Sequence, residues 1–280
     1  MKITAAVLDA IGAVGPFAET QPMRLAALDL APPRDGELLV KIDACGLCHS
    51  DLSVVNGDRP RPMPMAIGHE AAATVLQSSP GSSFAPGDRV VLAFLPSCGK
   101  CPTCASGQGY LCASAAAANG AGMLMHGGSR LAENGHAVHH HMGVSAFATH
   151  SVIDERSAVK IPSDIAPEIA ALFGCAVLTG VGAVVNTAQV KAGQSVAVIG
   201  LGGVGLSSVL GALAAGASPV IAVDLSEDKL ALARSLGAVQ TVNAADPDAI
   251  EQVRALTGGG ADFVFEMAGS VRALEAAWRM

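Results

Sequence analysis

Short apolar runs broken by turn residues fill the first part of the chain. Lys2–Asp9, Glu37–Ala44, Ala71–Gln77, Arg89–Phe94 and Phe147–Ile153 read as strands, each bounded by Gly, Pro, Asp or Ser. The Pro-rich run Arg59–Pro64 reads as a loop. From about Ser163 the texture changes. Ser195–Ile199 is a continuous apolar run, followed by a Gly-rich turn and the helical run Val204–Ala215. Pro219–Val223, Val239–Val242 and Asp262–Glu266 read as further strands, with helices at Ser226–Leu236 and Asp246–Leu256. This alternation predicts a parallel sheet with helices on both faces. The predicted boundary lies near Pro162, giving domains at 1–162 and 163–280; at ~150 residues per domain the length suits two.

Ser270–Met280 begins a helix inside which the chain stops. A full dinucleotide-binding sheet needs two further strand–helix units, so the second domain reads as C-terminally truncated. The apolar stretch Ile169–Val185, diluted by Gly174, Thr179, Gly180 and Gly182, reads as a buried helix and not a membrane span. The small apolar tract Ala113–Ala118 has no evident role.

Composition narrows the class. Hydrophobic residues make up 51% and charged residues 15%, which excludes a largely disordered chain. Aromatics are only 3%, so the core is expected to be Ala, Val, Leu and Ile. A net charge of −7 argues against a general nucleic-acid binder. Met1–Asp9 lacks the basic and apolar regions of a signal peptide. Four of the seven cysteines cluster at 98–112, which favours metal ligation over disulfides and a cytoplasmic protein with no membrane partner.

Gly200-Leu-Gly202-Gly203-Val204-Gly205 is a G-x-G-x-x-G between a predicted strand and a predicted helix, with Asp224 at the end of the next strand. Gly200 permits the tight turn, Gly202 lets the backbone approach a pyrophosphate, and Gly205 lets the helix pack on the sheet. The Asp224 carboxylate suits ribose hydroxyls and repels a 2′-phosphate, so NAD is expected over NADP. The bland alternative is a Gly-rich turn without ligand.

Cys98-x2-Cys101-x2-Cys104-x7-Cys112 can wrap one tetrahedral zinc, and a closed four-thiolate site is structural. An iron–sulfur cluster is the rival reading. A dispersed set comprises Cys48, His69, Glu70 and Cys175; two thiolates, an imidazole and a water form an open zinc site. Taken alone, Cys48 and Cys175 read equally as small core residues, His69 as a core histidine, and Cys45 with Cys48 as a redox pair.

With GLCHSD, GHE, the CGKCPTC lobe, GCAVLTG and GLGGVG in this order, the chain resembles the zinc-dependent alcohol dehydrogenases of the medium-chain dehydrogenase/reductase superfamily over essentially its whole length. The resemblance implies an α/β plus β fold: a GroES-like, partly open β-barrel catalytic domain with a structural zinc lobe at 98–112, followed by an incomplete Rossmann doubly wound parallel sheet. It implies two zincs per chain, NAD, a small alcohol or aldehyde substrate, and a homodimer or homotetramer in a full-length form. Carried over by position, Cys48, His69 and Cys175 hold the catalytic zinc. Glu70 sits behind it, Asp51 orients His69, and Ser50 takes the alcohol proton. His49 meets cofactor phosphate, Thr179 and Val204 lie on the nicotinamide side, Asp224 and Lys229 meet the adenosine ribose, and Phe94 walls the substrate pocket.

Two departures stand out. Several members carry a relay His where this chain has Ser53. His136, His139, His140 and His141 read as a solvated His-rich loop. The expected activity is interconversion of an alcohol and an aldehyde or ketone by hydride transfer with NAD, including polyol or glutathione-adduct variants. The alternative is a truncated, non-catalytic zinc- and nucleotide-binding module.

Overall fold

The computed structural model describes residues 1–238 and 240–280; the expected strand start at Val239 lies outside the described residues. The chain divides into two units, Met1–Cys175 and Ala176–Met280.

Unit 1 carries ten strands: β1 (Lys2–Leu8), β2 (Met23–Leu30), β3 (Glu37–Gly46), β4 (Met65–Ala66), β5 (Glu70–Ser78), β6 (Arg89–Leu92), β7 (Leu131–Glu133), β8 (His136–His140), β9 (His150–Asp154) and β10 (Ala158–Lys160). Strands β1, β2, β7, β8 and β4 form a barrel, which closes because β4 pairs with both β1 and β8. The other five form a sheet in the order β10-β6-β5-β3-β9. Alternation explains the barrel core: Ile3, Ala5 and Val7 of β1 and Ala26, Leu28 and Leu30 of β2 point inward together. In β2 the outward positions include the exposed Leu25, which flattens the polar–apolar contrast and hides the strand from a pattern reading.

A buried ion pair ties barrel to sheet. Arg130, just before β7, donates from Nε and Nη2 to Glu37 of β3 at 2.9 and 2.6 Å, and both side chains are almost wholly buried. The segment His126–Arg130 thus ends in a structural anchor.

The boundary lies later than the change of texture near Pro162. Ile165, Ala170 and Ala171 pack on Ala72 and Ala44 of the unit 1 sheet, so residues 163–175 belong with the strands before them. The apolar stretch Ile169–Val185 is not one buried helix. It breaks at Cys175 (φ −142°), and Ile169, Leu172, Phe173, Leu178 and Val185 are all exposed. A Cβ at Gly174 would collide with the Leu92 carbonyl, so close backbone approach sets the break. Among the described residues no single helix is long and apolar enough to cross a membrane.

In unit 2, β11 (Val196–Ile199), β12 (Val220–Asp224), β13 (Gln240–Asn243) and β14 (Phe263–Glu266) form a parallel sheet in the order β13-β12-β11-β14. Val196 and Val198 pack with Val209 and Ala212 of the helix Gly203–Ala214, while Ala197 and Ile199 pack with Val253 of the helix Ala249–Leu256. Successive residues therefore face opposite layers, which is why these strands read as continuous apolar runs.

Candidate active site and structural metal lobe

Cys48 is the N-cap of the helix His49–Val55, and Asp51 is its third residue. Asp51 Oδ2 accepts the Cys48 backbone N–H at 3.1 Å, closing a capping box. Asp51 Oδ1 accepts from His69 Nδ1 at 2.9 Å, with both side chains buried. One carboxylate thus starts the helix and orients the imidazole, turning Nε2 of His69 toward Cys48. His69 and Glu70 arrive at the start of β5, and Cys175 at the break in the apolar stretch. A donor atom from each of Cys48, His69, Glu70 and Cys175 lies within 4.8 Å of the others. Gly46 is cross-strand from Glu70, and a Cβ there would occupy the space of the Glu70 carboxylate. Cys45 is exposed and takes no part.

The cluster perturbs its own protonation. The neighbouring Cys175 and His69 draw the Cys48 thiol down to about 3, so Cys48 carries the charge. Cys175, beside that thiolate and buried, is pushed up and keeps its proton. Burial disfavours charge on His69, but hydrogen bonding to Asp51 and Cys48 outweighs it and raises the imidazole to about 9. Burial and then the Cys48 charge raise Glu70 to about 7. Charging both thiols and the carboxylate in one buried space would set three anions against one another, which is why Cys175 and Glu70 are pushed toward their protonated forms. A soft-tolerant divalent cation relieves that repulsion, and this donor set fits zinc.

The other predicted residues take distinct places. Phe94 stands edge-on to His69, with ring centroids 5.6 Å apart. Its carbonyl accepts from Asn119 at 2.8 Å, which gives a role to the tract 113–118: that tract forms the helix Ala113–Gly120, and Asn119 lies at its end. Ser50 donates its backbone N–H to the Cys48 sulfur, and His49 is exposed. Ser53 spends its hydroxyl on the His49 carbonyl at 3.0 Å, within its own helix. A cavity of about 520 Å³ opens beside Cys48, His49 and Asp51, walled by Phe17, Leu52 and Phe147. Phe17 and Phe147 escape sequence reading because nothing local distinguishes them from core residues.

The His-rich segment is a correction. It is not a solvated loop: His136–His140 is β8, and both His140 and His141 are fully buried. Period-two alternation from Val138 carries His140 inward, and the following turn carries His141 in as well. His141 Nδ1 lies 3.3 Å from Asp51 Oδ1, a residue absent from the expected set.

Cys98, Cys101, Cys104 and Cys112 converge in the same manner, with Cys101 and Cys104 sulfurs 3.3 Å apart. Backbone N–H groups of Cys101 and Cys98 donate to the sulfurs of Cys98 and Cys112. The Thr103 hydroxyl and the Cys104 backbone N–H draw Cys101 down to about 6. Four sulfurs so placed would hold one zinc with every position filled by protein, which suits a structural role.

In unit 2 the turn behaves as its glycines demand. Gly200 has φ +88°, and a Cβ on Gly205 would strike the Gly200 carbonyl. Nothing lies within 4 Å of a Cβ at Gly202, which caps the helix Gly203–Ala214; Val204 is in its first turn. Asp224 is buried, accepts from the N–H of Leu201 at 2.7 Å and of Ser226 at 2.9 Å, and has Lys229 at 3.5 Å. Burial opposes its charge, but these N–H groups hold the carboxyl below its usual range. Gly200, Gly202, Asp224 and Lys229 line a cavity of about 630 Å³, a fit for a dinucleotide half. Thr179 is exposed on the helix Ala176–Gly182.

Residues 34–163 match the alcohol dehydrogenase GroES-like domain, and residues 203–280 match the zinc-binding dehydrogenase domain. The S-(hydroxymethyl)glutathione dehydrogenase of Synechocystis sp. is 41% identical over 281 residues, covering 99% of this chain and 74% of that protein. The chain belongs to the zinc-dependent alcohol dehydrogenase family. A second relative of this family, the S-(hydroxymethyl)glutathione dehydrogenase of Escherichia coli, is 40% identical over 93% of this chain and 72% of its own length. Among solved alcohol dehydrogenase structures, the zinc-binding domain protein of Burkholderia ambifaria superposes with a TM-score of 0.91 at 36% identity, covering all of this chain and 74% of that one. The benzyl alcohol dehydrogenase of Acinetobacter calcoaceticus gives 0.89 at 34%, with the same coverage. These alcohol dehydrogenase relatives are named as enzymes, which favours catalysis over a binding module.

Proposed function

We propose that the protein interconverts an alcohol and an aldehyde or ketone with NAD, using one catalytic and one structural zinc per chain. The observation that carries this is the convergence of Cys48, His69, Glu70 and Cys175 from three distant segments. Cys48, His69 and Cys175 hold the catalytic metal and Glu70 stands behind them; Cys98, Cys101, Cys104 and Cys112 hold the structural one. When bound, zinc supplies Lewis acidity to the substrate oxygen and NAD supplies the hydride acceptor.

The chain's own residues do the rest. Asp51 fixes the tautomer and orientation of His69. Ser50 takes the hydroxyl proton of the alcohol, and Ser53, whose hydroxyl is engaged in its helix, leaves the onward path to water. Phe94 walls the substrate side. Gly200, Gly202, Gly203 and Gly205 admit the pyrophosphate, with His49 meeting a phosphate. Asp224 and Lys229 take the adenosine ribose, while Thr179 and Val204 meet the nicotinamide. A buried carboxylate at Asp224 supports NAD over NADP by repelling a 2′-phosphate.

The expected substrates are unphosphorylated alcohols and aldehydes. Seven free cysteines suit a reducing cytoplasm. A homodimer or homotetramer is the expected assembly of a full-length form. NADH formation across an alcohol panel, before and after zinc removal by chelator, tests the proposal. Turnover that is lost on chelation and returns with zinc supports it; turnover that survives removal of both zincs overturns it.

A further inference from the structure

His141 is wholly buried, yet neither ring nitrogen has a well-aligned hydrogen bond, the nearest acceptor being Asp51 Oδ1 at 3.3 Å from Nδ1. A buried imidazole so poorly paired is costly and calls for an explanation. The surrounding backbone pins it. Its N–H donates to the Ala66 carbonyl and the Ser145 hydroxyl, and its carbonyl accepts from Val144 and Ser145. The turn after it holds Met142 and Ser145 at positive φ (51° and 52°). This framework puts the ring against two groups. Nδ1 faces Asp51 Oδ1 at 3.3 Å, the same oxygen that accepts from His69 at 2.9 Å. The ring also meets His69 edge to face, 5.6 Å between centroids and 88° between planes. Phe94 meets His69 with the same separation and angle.

We propose that His141 is a positioning residue for His69, holding the Asp51 carboxylate that orients the imidazole and clamping the ring together with Phe94. This rests on the reading of His69 as a ligand of the catalytic metal. Asp51 has one oxygen on the Cys48 N–H and the other on His69. A polar edge beside the second oxygen opposes its rotation away from His69. Phenylalanine fills the same space and keeps the clamp but offers the carboxylate no N–H. Glutamine offers an N–H without the ring. Groups beyond the metal donors set the orientation and basicity of ligating histidines.

The test compares unaltered, His141→Phe and His141→Gln chains, all zinc-loaded, by competitive chelator titration and by the NMR resonance of the His69 Nδ1–H. The unaltered chain is expected to hold two zincs. His141→Phe should keep the lobe zinc at unaltered affinity, weaken the other about tenfold, and shift or broaden the His69 resonance. A packing role alone would lower the melting temperature without moving that resonance. His141→Gln should restore part of the resonance position. Unchanged affinity and an unmoved resonance in His141→Phe overturn the role of His141 while leaving the metal site standing. A single tight zinc in the unaltered chain overturns both. If His141→Phe fails to fold, the same two readouts on His141→Gln decide: values between unaltered and half-weakened support the role, identity with the unaltered chain in both overturns the clamp.

Discussion

Asp51 Oδ1 accepts from His69 Nδ1 at 2.9 Å, across eighteen residues of sequence. Because the other oxygen of Asp51 caps the helix that Cys48 begins, the orientation of one metal donor is tied to the position of another. Replacing Asp51 by Asn removes the charged acceptor. Affinity of the catalytic zinc should fall about 10–100-fold, with the lobe zinc unaffected. Chelator competition measures this, and equal affinities for both forms would sink the link.

The two metal clusters should separate on mutation. Cys175→Ser is expected to leave one zinc per chain and to lower turnover by about 100-fold or more, the loss of several kcal/mol of Lewis-acid stabilisation. Cys104→Ser should also leave one zinc but act chiefly on the melting temperature, since a closed lobe contributes through folding. Elemental analysis beside calorimetry checks both; interchangeable effects would refute the division.

Asp224→Ser removes the charge proposed to exclude a 2′-phosphate. The preference for NAD over NADP should fall by about tenfold or more, in line with ~1.5–3 kcal/mol for a hydrogen bond to a charged group. Comparison of kcat/KM for the two cofactors reads it. A preserved preference would place cofactor selection elsewhere.

His140 gives a pH signature. Burial first, then the Arg130 charge, holds its imidazole down at about 3. Nε2 accepts the Arg130 N–H at 3.2 Å, so the buried ring is neutral, with its proton on Nδ1 beside the Ser145 hydroxyl. The unfolded chain binds a proton near 6.5. The unfolded state therefore takes the proton first, and this contribution is present above 6.5 and lost as pH falls toward 3. His140→Asn should make the loss between pH 6 and 5 shallower, by up to ~1.4 kcal/mol per pH unit. Denaturant titrations at both pH values would show it; parallel acid limbs would exclude His140.

The Glu37–Arg130 pair should be asymmetric under mutation. Glu37→Gln leaves a buried guanidinium without its charge partner and should destabilise unit 1 by about 3–5 kcal/mol. Replacing both by Gln and Met should be far milder. Urea unfolding of the single and double variants tests this, and additive losses would contradict it.

Much of this was legible along the chain. Val196–Ile199 and Val220–Val223 are visible because each is a continuous apolar run near turn residues, and burial on both faces demands that pattern. The four-cysteine lobe and the turn at Gly200–Gly205 are local, so their chemistry is written in adjacent positions. The short strands of the barrel were hidden, since two or three residues of β4 or β7 hold no period.

The alternation of strands and helices in unit 2, the two families of donor residues and the nucleotide turn were therefore legible in the sequence alone. Tertiary structure decided which donors meet. Cys48, His69 and Cys175 converge only because the register of β3 on β5 and the break after Gly174 bring three remote segments together. It likewise decided that His141 lies buried against Asp51 and not in solvent. A local pattern records what each residue prefers. Burial and contact between remote residues depend on pairing and packing, which only the folded chain supplies.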